Sequence, residues 1–438
     1  MNQSKDPVCI IGAGPSGLAA CKVLAEAGIA FECLEAGRSV GGVWDVEGGY
    51  GGGYRSLHTN TSTQKMAYSD FPFPDDSPQF PNHSQMLDYF NAYAEHFKIR
   101  DRIQLNCRVE SANPLEDGRW QIRLESGETR DYAACIVATG QYGTRRWPEP
   151  LPPGHFDGDQ IHASDYLDPT TPLDCRDKRV VVVGLGSSAA EIATELAGGK
   201  AGESIASRVI LSARSGRYIM PKVYKGEPLD SNAPHPTLQL PAAIRWLPRW
   251  ARLHFPRSLM KKAFARIQQE VGGPTDWNLP DPAFPPWAER PTLSDGFIPA
   301  LQAGRVEGKP GISAIDGSSI KFTDGSVAEA DVVIYATGYR FDFPFLDRQV
   351  LGCESTELSL YQRVAHPSSR NLYFIGFTRV LCSLWPVSEQ QAIWLAGVLT
   401  GSIKLPSEAE RTRRAVQVAE DLPVFCNFYV LDLRADEP

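Results

Sequence analysis

Three glycines, Gly12, Gly14 and Gly17, follow the β-rich run Val8–Ile11 in GxGxxG spacing, and an Ala/Leu-rich helix continues to Ala27. The chemistry such a turn can do is to hold a dinucleotide. The first glycine permits the turn, the second lets backbone approach a pyrophosphate, and the third allows close packing of helix on strand. The helix N-terminus, which carries Ser16, presents free N–H groups to the phosphates. Glu35 ends the second strand, where a carboxylate accepts hydrogen bonds from ribose hydroxyls. The pattern returns at "RVVVVGLGSSAAEIATELA": Val180–Val183 form a strand, Gly184 and Gly186 open the turn, Ser187 and Ser188 start the helix, and Ala189 replaces the third glycine. The next strand, "RVILSARSGR", ends at Arg214 instead of an acid. A carboxylate would repel a ribose 2′-phosphate, whereas a guanidinium pairs with it bidentately. The first turn therefore suits a nucleotide with free ribose hydroxyls. The second suits NADP(H), with Arg217 or Lys222 as the alternative phosphate contacts.

Two unequal dinucleotide sites imply an electron relay in which NADPH reduces a flavin, so FAD is expected in the first. "AGRSVGGVWD", just after Glu35, fits this assignment: Gly41 and Gly42 let backbone lie against a ligand, and Trp44 supplies a flat apolar wall. Two further strands end in ATG, "CIVATG" with Thr139 and "VVIYATG" with Thr337 and Gly338. These small, turn-forming ends are expected where each domain closes beside its cofactor.

The elements that must position these groups are those of an α/β chain with two Rossmann-like dinucleotide-binding domains, the NADPH domain inserted in the FAD domain, and a helical insert. The chain is expected to leave the flavin domain near Leu151. Residues 1–168 are read as the first part of the FAD domain and 169–335 as the NADPH domain, with the helical insert at about 228–300. Residues 336–438 return to the FAD domain. A length of 438 residues allows two or three such domains. The insert holds "PAAIRWLPRWARLHFPRSLMKKAFARIQQEV", a basic stretch expected to cover the NADPH domain or the substrate channel, with a membrane surface as the rival reading. Apolar content of 42% and charged content of 22% are ordinary for a soluble globular protein, and a formal charge of −8 argues against a nucleic-acid partner. No apolar run approaches the length of about 18 residues that a spanning helix needs. The N-terminus enters a strand too soon for a cleavable signal peptide. Nine cysteines include no CxxC pair, which excludes a zinc knuckle and a redox dithiol, and no metal is expected. Scattered thiols fit a reducing, cytoplasmic setting.

GAGPSG, the Glu35 slot, RSVGGVW, GLGSSA with its ATEL helix, and YATGYRFDFPFL together resemble the flavin-containing monooxygenases over almost the entire chain. The sharpest likeness is "FDGDQIHASDY", in which Phe156, Gly158, His162 and Tyr166 match the family fingerprint FxGxxxHxxx(Y/F). Physically, Gly158 permits a turn and the aromatics anchor a crossing segment by burial. The resemblance implies that the segment couples NADP(H) binding to the flavin site, with His162 in a positional role. In the Baeyer–Villiger relatives the last position is usually Trp followed by Pro or Asp, so Tyr166 followed by Leu167 favours the heteroatom-oxidising branch.

"SLHTNTSTQKMAYSDFPFPDD" reads as an extended loop over the flavin, before a helix from about Ser84. It is similar to the family's TN(S/T)S stretch, which auxin-type relatives lack. Asn60 matches the family asparagine near the reactive edge of the isoalloxazine, where a carboxamide donates to peroxide oxygens without supplying an acidic proton. "NLYFIGFTRVLCSLWPVSEQQAIWLAGVLTG" resembles the family's closing segment, with a strand at Leu372–Ile375 and a helix from about Ser388 to Thr400. Gln391 matches a family glutamine there, to be read as a flavin ligand or as a solvent-facing residue. The activity implied is that of a class B flavoprotein monooxygenase. NADPH reduces FAD, the flavin traps oxygen as a C4a-(hydro)peroxide, and the soft nitrogen or sulfur of a small-molecule amine or sulfide attacks it. The rivals are a Baeyer–Villiger ketone monooxygenase, a disulfide reductase disfavoured by the missing CxxC, and a non-catalytic nucleotide-binding redox sensor. A homodimer is an admissible assembly.

Overall fold

The computed structural model describes residues 6–48, 51–199, 202–231, 249–380 and 383–417. Short runs of apolar and β-branched residues, VCII, ACIV, VVIY and the centre of RVVVV, are buried throughout, as expected of strands covered on both faces. They fall into two parallel sheets. In chain order the strands are β1 (Val8–Ile11), β2 (Phe31–Leu34), β3 (Ile103–Gln104), β4 (Ala134–Val137), β5 (Asp159–His162), β6 (Arg179–Val183), β7 (Arg208–Ala213), β8 (Val306–Pro310), β9 (Val332–Tyr335) and β10 (Leu372–Phe374). The first sheet has the order β10-β4-β1-β2-β3 and the second β5-β9-β6-β7-β8. β10 pairs with β4, Leu372 opposite Cys135, so the chain completes its first sheet only after the whole second sheet has been built.

Four helices flank the two glycine turns and the loop between them: α1 (Pro15–Glu26), α2 (His83–His96), α3 (Ser187–Leu196) and α4 (Leu384–Thr400). α1, α2 and α4 share one core with the first sheet, and an antiparallel layer carrying Trp120 and Ile122 covers its other face. α3 and the short helix Phe297–Gln302 cover the second sheet. α2 begins at a capping box in which Asn82 and Gln85 each accept the other's backbone N–H, both at 3.0 Å. Asn82→Ala is expected to lower stability by about 1 kcal/mol, read as a thermal midpoint about 2 °C lower in differential scanning calorimetry.

Two expectations need correction. α4 starts at Leu384, not Ser388, because Pro386 sits in its first turn, where the missing N–H has no intrahelical acceptor to lose. The boundary at residue 168 is too late. Gly154–Phe156 already pairs with Ile312–Gly317, and β5 is an edge strand of the second sheet, His162 opposite Tyr335. The expected departure near Leu151 agrees with this pairing, whereas the strand's partners about 170 residues away leave no local mark that would have moved the boundary. Of the basic stretch 241–271, residues 241–248 lie outside the described residues, and the remainder forms the helix Arg249–Val271. That helix lies on the second unit: Phe264 meets Tyr218 edge-on at 5.4 Å, and Glu270 accepts from Tyr224 at 2.5 Å. Among the described residues no helix is long and apolar enough to cross a membrane, and no cluster of metal-ligating side chains occurs.

Candidate functional site

Gly12 has φ +102°, and a Cβ there would lie 2.8 Å from the Ala138 carbonyl oxygen, so the turn after β1 admits only glycine. Gly17 is tighter still, a Cβ falling 1.9 Å from the Gly12 oxygen; this is where α1 presses on its strand. Gly14 differs. It caps α1 with φ −68°, and a Cβ would meet nothing nearer than the Gly42 Cα at 3.7 Å. The backbones of Gly14 and Gly42 thus wall a cradle at the α1 N-terminus that any side chain would begin to fill. Trp44 is buried and meets Trp385 edge-on at 5.9 Å. The Glu35 carboxylate accepts the Ala13 N–H at 2.6 Å and the Gly37 N–H at 2.7 Å, one on each oxygen. It pins the turn, and each oxygen keeps a lone pair for a ribose hydroxyl. Ser16 faces α4, its hydroxyl 2.9 Å from that of Ser388.

The second turn repeats the design more loosely. Gly184 has φ +129° with a Cβ position 2.4 Å from the Ala336 oxygen, and Gly186 has open space before it. Ala189 is fully buried, so this turn packs with a methyl where the first needs none. Ser187 and Ser188 begin α3. Arg214 follows β7 directly, is exposed, and has no hydrogen bond or ion pair among the described residues. The alternative contacts are spent: Arg217 pairs with Glu289 at 2.7 Å, and Lys222 with Glu191 at 2.9 Å. Both cradles fit a dinucleotide, and among the described residues only the second has a free guanidinium at its strand end.

Of the ATG ends, Thr139 is exposed beside Gly12, whereas the Thr337 hydroxyl donates to the Arg146 carbonyl. The Gly338 carbonyl accepts from the Arg146 N–H at 3.0 Å and from His162 Nε2 at 3.2 Å. His162 Nδ1 accepts the Ser164 N–H at 3.1 Å, so both ring nitrogens are engaged and the ring is a neutral Nε2–H tautomer. Burial also pulls its pKa down. His162 holds a turn. Gly158 leaves no room for a side chain, its Cβ position lying 2.3 Å from the Asp331 oxygen, and Phe156 is buried in the core beneath the second sheet. Tyr166 is buried and donates to Glu195 Oε2 at 2.8 Å.

Between the two units runs the loop that carries Asn60. Its Thr59 N–H donates to Pro81 at 2.9 Å, its Ser62 N–H to Asp230 Oδ2 at 2.8 Å, and Tyr68 donates to the Pro15 carbonyl at the α1 start at 2.6 Å. Asn60 Oδ1, Thr59 Oγ1 and Ser62 Oγ are buried without a hydrogen-bond partner among the described residues. Three orphaned polar atoms within four positions are unusual for a folded loop and call for a ligand that completes them. Gln391, expected to face flavin or solvent, does not face solvent. It is fully buried, accepts the Gly376 N–H at 2.9 Å and donates to the Arg363 carbonyl at 3.2 Å. Gln141 grips the same Gly376 turn, donating to its carbonyl at 2.9 Å.

Sequence reasoning missed Glu191, Glu195, Tyr54 and Ser56, which join the Asn60 loop to α3. The one available signal was the pair of acids at i, i+4 on the helix after the second turn. Also missed was buried Lys22, which lies 2.6 Å from Asp70 and 3.5 Å from the fully buried Glu389 of α4.

A family model described as flavin-binding monooxygenase-like matches residues 5–429. Flavin-containing monooxygenase 3 of Homo sapiens is 32% identical over 430 residues, spanning 91% of this chain and 75% of that protein. The N-oxide-forming dimethylaniline monooxygenase 2 of Macaca mulatta is 32% identical over 418 residues, 92% of this chain and 74% of its own. Among solved structures, S-allyl-L-cysteine S-oxygenase from Allium sativum superposes with a TM-score of 0.68 at 20% identity, over 98% of this chain and 88% of that one, a likeness of fold. The chain belongs to the flavin-binding monooxygenase family, and is accordingly an enzyme that oxygenates its substrate with FAD and NADPH.

Proposed function

We propose that the chain oxygenates the soft nucleophilic nitrogen or sulfur of a small molecule, with FAD in the cradle of Gly12, Gly14, Gly17, Glu35 and Gly42 and NADP(H) at Gly184, Gly186 and Arg214. FAD, when bound, takes hydride from NADPH and activates molecular oxygen for transfer. The chain's own task is to bind, orient and exclude water, and an electron-rich nitrogen or sulfur needs no protein base to reach an electrophilic oxygen. The observation that carries the reading is Asn60: its carboxamide oxygen is buried with no partner among the described residues, which calls for a ligand beside it, and its amide N–H groups donate without an acidic proton. A relative named for N-oxide formation, 32% identical, supports nitrogen over carbon as the oxygenated atom. The test is a panel of tertiary amines, sulfides and ketones, scored for NADPH oxidised and product formed. Conversion of ketones alone would replace this reading with the Baeyer–Villiger one.

Cofactor preference follows from Arg214. Its guanidinium is exposed, so solvent screens its contact with a 2′-phosphate towards the low end of a charge-assisted pair, about 1.5 kcal/mol. Arg214→Ala is expected to cut the NADPH-over-NADH preference in kcat/KM about tenfold, by weakening NADPH and sparing NADH. Equal losses for both cofactors would place the phosphate contact elsewhere.

A further inference from the structure

The loop that carries Asn60 does not rest only on the flavin unit. Just before it, Tyr54 donates to Glu191 Oε2, Ser56 donates to Glu195 Oε2 at 2.8 Å, and the Arg55 N–H donates to the Leu167 carbonyl at 2.8 Å. Glu191 and Glu195 stand one turn apart on one face of α3, the helix whose N-terminus is the second glycine turn. The same Glu195 oxygen also takes the hydroxyl of Tyr166, the last fingerprint residue, at 2.8 Å, and Tyr54 and Tyr166 meet edge-on at 6.4 Å. Glu191 is neutralised from its other side by Lys222, which is itself buried. Tyr54 belongs to the core of the second unit, while Leu57 touches the cores of both. Four positions along the chain carry Ser56 to Asn60.

We propose that Glu191 and Glu195 are positioning residues that fasten the Asn60 loop to the NADP(H)-binding helix, so that NADP(H) on α3 restrains the loop. This deepens the site assignment above and rests on NADP(H) binding at the second turn, not on the role of Asn60. Two carboxylates held in a mostly buried seam accept three hydroxyls and an ammonium, a network in which each member fixes the next. Ordering α3 by a bound pyrophosphate at its N-terminus then orders residues 54–57, and these set where Asn60 begins.

The experiment is hydrogen–deuterium exchange of the peptide spanning residues 54–62 in the FAD-loaded protein, with and without saturating NADP+. Wild type is expected to show slowing of about tenfold on NADP+ addition, the size of one charge-assisted hydrogen bond. Glu195→Ala should lose that protection, whereas Glu195→Gln should keep it, because a carboxamide oxygen still accepts both hydroxyls. Ser56→Ala removes the loop-side hydroxyl alone and should also lose it, which carries the test if Glu195→Ala folds poorly. Undiminished protection in Glu195→Ala and Ser56→Ala would overturn the proposal, as would its loss in Glu195→Gln. The outcome is independent of product yield: a failed role for Asn60 would leave the exchange pattern intact, and a failed tether would leave any coupling defect of Asn60 variants intact.

Discussion

Gly14→Val is expected to fold and to purify almost free of FAD. Gly14 already has the extended backbone that valine adopts, at φ −68° and ψ −178°, and the nearest atom to a new Cβ is 3.7 Å away. A Cβ at this position therefore displaces no protein atom. What it blocks is backbone approach to a pyrophosphate at the α1 N-terminus, with one or two charge-assisted hydrogen bonds of about 1.5–3 kcal/mol each. FAD affinity should fall by roughly one to four decades. The measurement is the ratio of flavin to protein absorbance, with circular dichroism confirming the fold. Gly17→Val is the contrast: a Cβ 1.9 Å from the Gly12 oxygen must move α1 off its strand, so that variant should fail in folding itself. A yellow, fully loaded Gly14→Val protein would remove the cradle from the flavin assignment.

The two cradles were legible because their logic is local. A buried apolar run, a glycine with positive φ and a helix all lie within about ten residues, and each constraint is written in residue type. Ala189 in place of the third glycine was likewise readable, as a small residue that still permits helix packing. What could not be read are contacts whose partners share no sequence neighbourhood. Ser56 meets Glu195 across 139 positions, and His162 meets Gly338 across 176. A glutamate on the face of a helix looks solvated until the opposing segment arrives to bury it. Gln391 shows the same limit from the other side. The helix that carries it was expected, but the direction of a buried carboxamide depends on which backbone groups the turn at Gly376 leaves open. The fingerprint was legible as a crossing, while its conversion into an edge strand of the second sheet required β9, whose sequence lies far downstream.

Asn60→Leu is the substitution that tests the chemistry itself, and the structure sharpens what to expect from it. The Asn60 carboxamide oxygen makes no hydrogen bond among the described residues, so leucine of similar volume removes no protein contact of that atom and the loop should hold. Its backbone neighbours remain tied, Thr59 to Pro81 and Ser62 to Asp230. FAD content and the rate of hydride uptake from NADPH should be nearly those of wild type, because neither cradle includes this side chain. The loss falls on oxygen transfer. Without a carboxamide to hold it, activated oxygen leaves as hydrogen peroxide before the substrate captures it. One missing hydrogen bond of about 1–3 kcal/mol corresponds to roughly a ten- to hundredfold fall in product formed per NADPH oxidised. Parallel assays of NADPH, hydrogen peroxide and oxygenated product measure this directly. Full coupling in Asn60→Leu would make the residue an ordinary loop position. Failure of hydride uptake would instead assign it to the placement of NADPH against the flavin, and the Glu195 tether would then act on reduction instead of oxygen transfer.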